Sequence, residues 1–128
     1  MDSESAASST VTNFPSKVNN FAVIVNGEHT DIALTTFTNY QNLIITQFEK
    51  IGNFYQVKVD QPANGLTVSE KVYNIKQVLG AENVHAEVAV RYLTEKLSIQ
   101  KPLLVCLSLK DYSRRSLDII IESIVNHK

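Results

Sequence analysis

The residue types that carry most enzyme chemistry are scarce in this sequence and widely spaced. There are three histidines, His29, His85 and His127, and none has a metal-ligating residue four positions on. A metal site needs clustered His, Cys and carboxylate donors, so no metal is expected. The single cysteine, Cys106, lies between Val105 and Leu107, which reads as a core strand and not as an exposed nucleophile beside a base. The four glycines, Gly27, Gly52, Gly65 and Gly80, have neither GxGxxG nor Walker spacing, and GxSxG is absent. No cofactor is expected, and catalysis is not. What remains is a set of positions that break local rules. Arg114-Arg115 opens the last predicted helix, where the helix dipole disfavours positive charge. Asp111 or Asp118 could neutralise it, or an acidic partner surface could. The loop 60–69 (DQPANGLTVS) is long for a strand connection. Asp60, Asn64, Arg114 and Arg115 are therefore the candidate contacts with a partner.

The elements that must position these residues follow from periodicity. Residues 1–17 form a Ser/Thr/Asn-rich stretch expected to be a disordered tail, with one domain over 18–128. A strand over 20–25 runs into Asn26-Gly27, the preferred pair for a two-residue hairpin turn, because both central residues need positive φ. The return strand, 29–38, places Ile32, Leu34 and Thr36 on one face and Asp31, Ala33 and Thr35 on the other. A third strand over 42–48 and a turn with Gly52 in a left-handed conformation lead to a fourth strand, 54–59. The four are expected to form a meander. A fifth strand over 71–79 ends at Gly80.

Asn83 is a helix N-cap, followed by Ala86, Val90, Leu93 and Leu97 at helical spacing, with Glu87 and Arg91 on the solvent side. Pro102 stops the helix. Residues 103–109 (LLVCLSL) are apolar on both faces, which suits a strand inside the sheet. A last helix starts near Ser113 with Leu117, Ile120, Ile121 and Ile124 as its buried stripe. The fold class is α+β: an antiparallel meander sheet of about six short strands with two helices, in the order β-β-β-β-β-α-β-α. Two helices cannot cover both faces of such a sheet. Phe21, Val23, Val25, Phe37, Ile45 and Phe54 are the candidates for an uncovered apolar face that takes a partner subunit.

The chain has 128 residues and 14.3 kDa, which suits one domain. Twelve basic side chains against thirteen acidic ones, net charge −1, give no basic stripe for nucleic acid. No apolar run reaches the roughly 18 residues that would span a bilayer. A lone cysteine, no Asn-x-Ser/Thr acceptor and no signal-like start point to the cytosol or nucleus.

The segment 30–52, TDIALTTFTNYQNLIITQFEKIG, resembles the proteasome assembly chaperone 3 family. Thr46-Gln47-Phe48 with Lys50 and Gly52 look like that family's strand–turn signature, and Phe37 in the preceding strand also matches. Val78-Leu79-Gly80 before an amphipathic helix, the apolar strand closing on Lys110-Asp111, and the C-terminal helix extend the similarity to about residues 30–126. The first helix begins AENVHAEV without the expected proline near its start. The resemblance implies a non-enzymatic chaperone. Such a protein pairs with a related small subunit, proteasome assembly chaperone 4, or with itself when that partner is missing. The pair binds 20S α-subunits to promote α-ring formation. The alternative is a small profilin- or longin-like adaptor in cytoskeletal or trafficking complexes, although this chain opens with a polar tail and strands instead of a helix. A small hydrolase would need an enclosed pocket with convergent polar groups.

Overall fold

A computed structural model describes residues 17–47, 52–60 and 72–127. Over these residues the strands are β1 (Lys17–Val25), β2 (Glu28–Thr36), β3 (Gln41–Thr46), β4 (Asn53–Asp60), β5 (Val72–Leu79) and β6 (Leu103–Ser108). Helix α1 (Val84–Lys96) connects β5 to β6, and α2 (Arg114–Asn126) comes last. The α+β order is the one that the periodicity predicts.

The strands form one six-stranded sheet in the order β1-β2-β3-β6-β4-β5. Neighbours are antiparallel except β3 and β6, which run parallel. The expected four-strand meander is thereby corrected: β1-β2-β3 is a meander, but β6 lies between β3 and β4. A run that is apolar on both faces is satisfied only in the middle of a sheet. Leu103, Val105, Cys106 and Leu107 of β6 are all buried there.

The Asn26-Gly27 turn has φ of 52° and 81°, both left-handed, and closes the register at Val25 and Glu28. Gly52 has a different role from the expected one, since its φ is not left-handed. A Cβ at this position would lie 1.9 Å from the Leu107 carbonyl oxygen, so the glycine lets the chain pass against β6.

Asn83 caps α1, its side chain accepting from the Ala86 N–H, and Ser113 caps α2 by accepting from the Ser116 N–H. Both helices lie on one face of the sheet. There Ile32, Leu43, Ile45, Tyr55, Val57, Val105 and Leu107 pack against Ala89, Val90, Leu93, Leu117, Ile120 and Ile124 in a single core. Ala86 and Ala89, both fully buried, keep the α1 surface small where it meets the strands.

A polar junction closes one end of this sandwich. Asn26 Nδ2 donates to Ser116 Oγ at 2.6 Å, and the Ser116 and Ser113 hydroxyls both donate to Asp111. Lys110 pairs with Glu28 at 3.1 Å, and its backbone N–H donates to Gln47. The β1–β2 turn, the end of β3 and the start of α2 are joined by these bonds.

Candidate functional site

Because side chains alternate along each strand, the face away from the helices is fixed once the core is known. Its central row, read across the paired strands, is Asn20, Ala33, Ile44, Cys106, Phe54 and Leu79. The next row is Val18, Thr35, Asn42, Leu104, Gln56 and Lys76. No described element packs over these rows. Ile44 is 42% exposed and Leu79 59%, while Phe54 and Leu104 are half-buried by their neighbours. Cys106 is only 4% exposed, held between Ile44 and Phe54. The result is an apolar centre with Lys58, Asn74 and Lys76 at one side and the His29–Asp31 pair, 2.9 Å apart, at the other. An apolar patch with a polar rim is the ordinary form of a protein contact surface.

The candidate face residues named from the sequence divide between the two sides. Phe54 lies on the open face. Val25 and Ile45 are buried beneath the helices, at 1% and 0% exposure, and Phe21 and Val23 pack against the same core. The Phe21 ring is stacked on His127 at the end of α2, with centroids 4.0 Å apart. Phe37 belongs to neither face; it stacks on Tyr40 in the β2–β3 turn. The physical reason is that the more apolar parity of each strand is the one the helices cover. Ile44, Leu104 and Cys106, which sequence reasoning did not assign to the open face, form its centre. Their signal is a strand with consecutive apolar residues (Leu43-Ile44-Ile45, or Leu103 to Leu107), which must be apolar on both sides.

The four candidate contact residues are likewise not one cluster. Asp60 ends β4, exposed, and accepts from the Asn74 side chain. Asn64 lies outside the described residues. Arg114 and Arg115 begin α2, after β6. Since β4 and β6 are antiparallel, with Asn53 opposite Leu107 and Val57 opposite Leu103, Asp60 and the arginines sit at opposite ends of the sheet. A single contact containing both is therefore corrected to two separate places. Arg114 has its charge accounted for inside the chain: its guanidinium lies 4.7 Å from the centre of the Tyr92 ring on α1. Tyr92 in turn donates to Asp118 of α2, which holds its hydroxyl pKa above the usual value. Asp111 is turned toward Ser113 and Ser116. Arg115 is exposed beside Glu122 and Ile119, along a shallow groove on the outer side of α2.

Among the described residues the groups with shifted pKa values are four tyrosines and Asp111. Burial raises the Tyr55, Tyr73 and Tyr112 hydroxyls, and the Ser113 and Ser116 hydroxyls hold the Asp111 carboxyl below its usual range. These shifts move each group further from neutrality, the opposite of what a general acid or base needs. Among the described residues no three His, Cys, Asp or Glu side chains could hold a metal ion together. No described helix is long and apolar enough to cross a membrane.

Comparison with known proteins bears on both fold and family. A family model, described as proteasome assembly chaperone 3, matches residues 43–127, from β3 to the end of α2. Among curated proteins none matches the chain. Among solved structures, one chain of a novel chaperone complex for yeast 20S proteasome assembly is similar, with a TM-score of 0.69 and 17% sequence identity. The alignment covers 87% of this chain and 98% of that one, and at this identity it shows a shared fold.

Proposed function

Since the chain belongs to the proteasome assembly chaperone 3 family, we propose that it acts, without catalysis, as a chaperone in assembly of the 20S proteasome. In this reading it pairs through the open sheet face with a related small chaperone subunit of the proteasome assembly chaperone 4 type, or with a second copy when that partner is missing. The pair binds 20S α-subunits and promotes formation of the α-ring, in the cytosol or nucleus. The observation that carries the reading is the uneven sheet: helices seal one face while Ile44, Phe54 and Leu104 leave an apolar centre on the other. A partner that supplies a second sheet there buries the patch and leaves both helices outward, free for an α-subunit. Such a contact can be broken when later subunits arrive, because affinity follows a few well-buried side chains more than area.

Of the two arginines, Arg115 is the better contact for an acidic α-subunit surface, because Arg114 is already engaged with Tyr92. Arg115→Glu is expected to weaken capture of α-subunits by the paired chaperone while leaving its melting temperature unchanged. Unchanged capture at physiological salt would remove α2's first turn from the contact.

A further inference from the structure

The polar junction at the end of the sheet contains a reactive pair whose reactivity the fold controls. In Asn-Gly sequences the backbone nitrogen of the glycine can attack the asparagine Cγ, because no glycine side chain obstructs it. An N–C bond forms, the bond from Cγ to the amide nitrogen breaks, and ammonia leaves with the proton from the glycine nitrogen. Water then opens the resulting succinimide to aspartate or isoaspartate, with no change in oxidation state. Asn26-Gly27 has this sequence, is exposed, and has nothing within 4 Å of the space a Gly27 Cβ would fill. Asparagine is for this reason one of the thermolabile residues.

We infer that Asn26 is a deamidation site held unreacted by Ser116, so that its modification releases the β1–β2 turn from the start of α2. The direction of the hydrogen bonds makes the case. Ser116 is 1% exposed, and its single hydroxyl proton is donated to Asp111 at 2.7 Å. Its oxygen can therefore only accept from residue 26, and the Asn26 amide supplies that donor at 2.6 Å. Held this way, the Asn26 amide cannot turn to the geometry that attack requires. The product reverses the sign of the contact. A carboxylate at position 26 has no proton to give Ser116 and lies beside the Asp111 charge, which the same hydroxyl serves. Isoaspartate also adds a methylene to the backbone, lengthening the two-residue connection that sets the register at Val25 and Glu28. Deamidation thus becomes a slow, one-way signal written where the hairpin, β6 and α2 meet. This inference does not depend on the chaperone reading.

The test incubates the full chain at neutral pH, folded and in denaturing urea, and follows Asn26 by peptide mass spectrometry. Asn64-Gly65, the second such pair in the sequence, is the reference within the same sample. In urea the two sites should react at similar rates. Folded, Asn26 should be slower than in urea by well over tenfold. Ser116→Ala should restore about a tenfold faster reaction at Asn26, the factor matching one lost hydrogen bond of about 1.4 kcal/mol. A folded Ser116→Ala protein whose Asn26 reacts no faster than the wild type overturns the inference. Should that variant fail to fold, Asn26→Asp decides: the inference requires it to lower the melting temperature and speed amide exchange at the start of α2. Wild-type values for both would overturn it.

Discussion

Ile44 and Ile45 are consecutive residues of β3 on opposite faces of the sheet, and replacing each by aspartate separates pairing from folding. Full burial of an isoleucine side chain is worth about 1.5–3 kcal/mol. Ile44 is 42% exposed, so about 0.6–1.3 kcal/mol of that remains to be gained by a partner covering the open face. Seating a carboxylate in the same place adds a desolvation penalty of several kcal/mol, since no cation faces it in the central row. Ile44→Asp should therefore weaken pairing by about 3 kcal/mol or more, at least about a hundredfold, and lower the stability of the single chain by about 1 kcal/mol. Ile45 is 0% exposed beneath the helices. Ile45→Asp loses the whole burial and encloses a charge, a loss above about 4 kcal/mol that rivals the stability of a small domain. The assay is size-exclusion chromatography with light scattering for pairing, and urea unfolding of each variant for stability. An Ile44→Asp protein that pairs as tightly as the wild type would refute the open-face contact. So would an Ile45→Asp protein that folds normally, because the two faces would then have been exchanged.

Three further outcomes follow from the fold. Gly52→Ala should cost about 1–3 kcal/mol in denaturant unfolding, because its Cβ would meet the Leu107 carbonyl 1.9 Å away and force β4 from β6. Asn83→Ala should cost about 1 kcal/mol by removing the α1 cap, and Asn83→Asp should recover most of it. The Asp111 carboxyl is held below its usual range by the Ser113 and Ser116 hydroxyls. Its contribution to stability is therefore complete above the ordinary aspartate pKa and is lost as pH falls toward the lower folded value. Asp111→Asn should flatten this acid limb of the stability-versus-pH curve measured by thermal melts, and an unchanged limb would show that the junction does not titrate through Asp111.

Much of this architecture is legible in the sequence because the signals are local. Asn26-Gly27 declares its turn, and alternation in β2 groups Ile32 with Leu34, both of which the structure turns to the core. Asn83 and Ser113 mark both helix starts, and the stripes Ala86–Leu97 and Leu117–Ile124 are the buried ones, with Ile121 at their margin. What local pattern cannot give is the neighbour of each strand. Residues 103–108 read as an interior strand, yet nothing in them names β3 and β4 as the strands they separate. The choice of covered face fails for a related reason: Phe21, Val23 and Val25 form the apolar parity of β1, and an apolar parity is equally suited to a helix or to a partner. Only the position of the helices decides. Gly52 shows the same limit, since a glycine required by a carbonyl some 55 positions along the chain looks in sequence like any turn glycine. The antiparallel pairing of β4 and β6 puts Asp60 and Arg114 at opposite ends of the sheet, which no local pattern in either segment encodes.

The most direct test of the account is native mass spectrometry of the tagged protein purified gently from its own cells. The account predicts a one-to-one complex with a second protein of similar size, carrying substoichiometric 20S α-subunits. A stable actin or membrane-trafficking complex with no α-subunit at any salt concentration would contradict it.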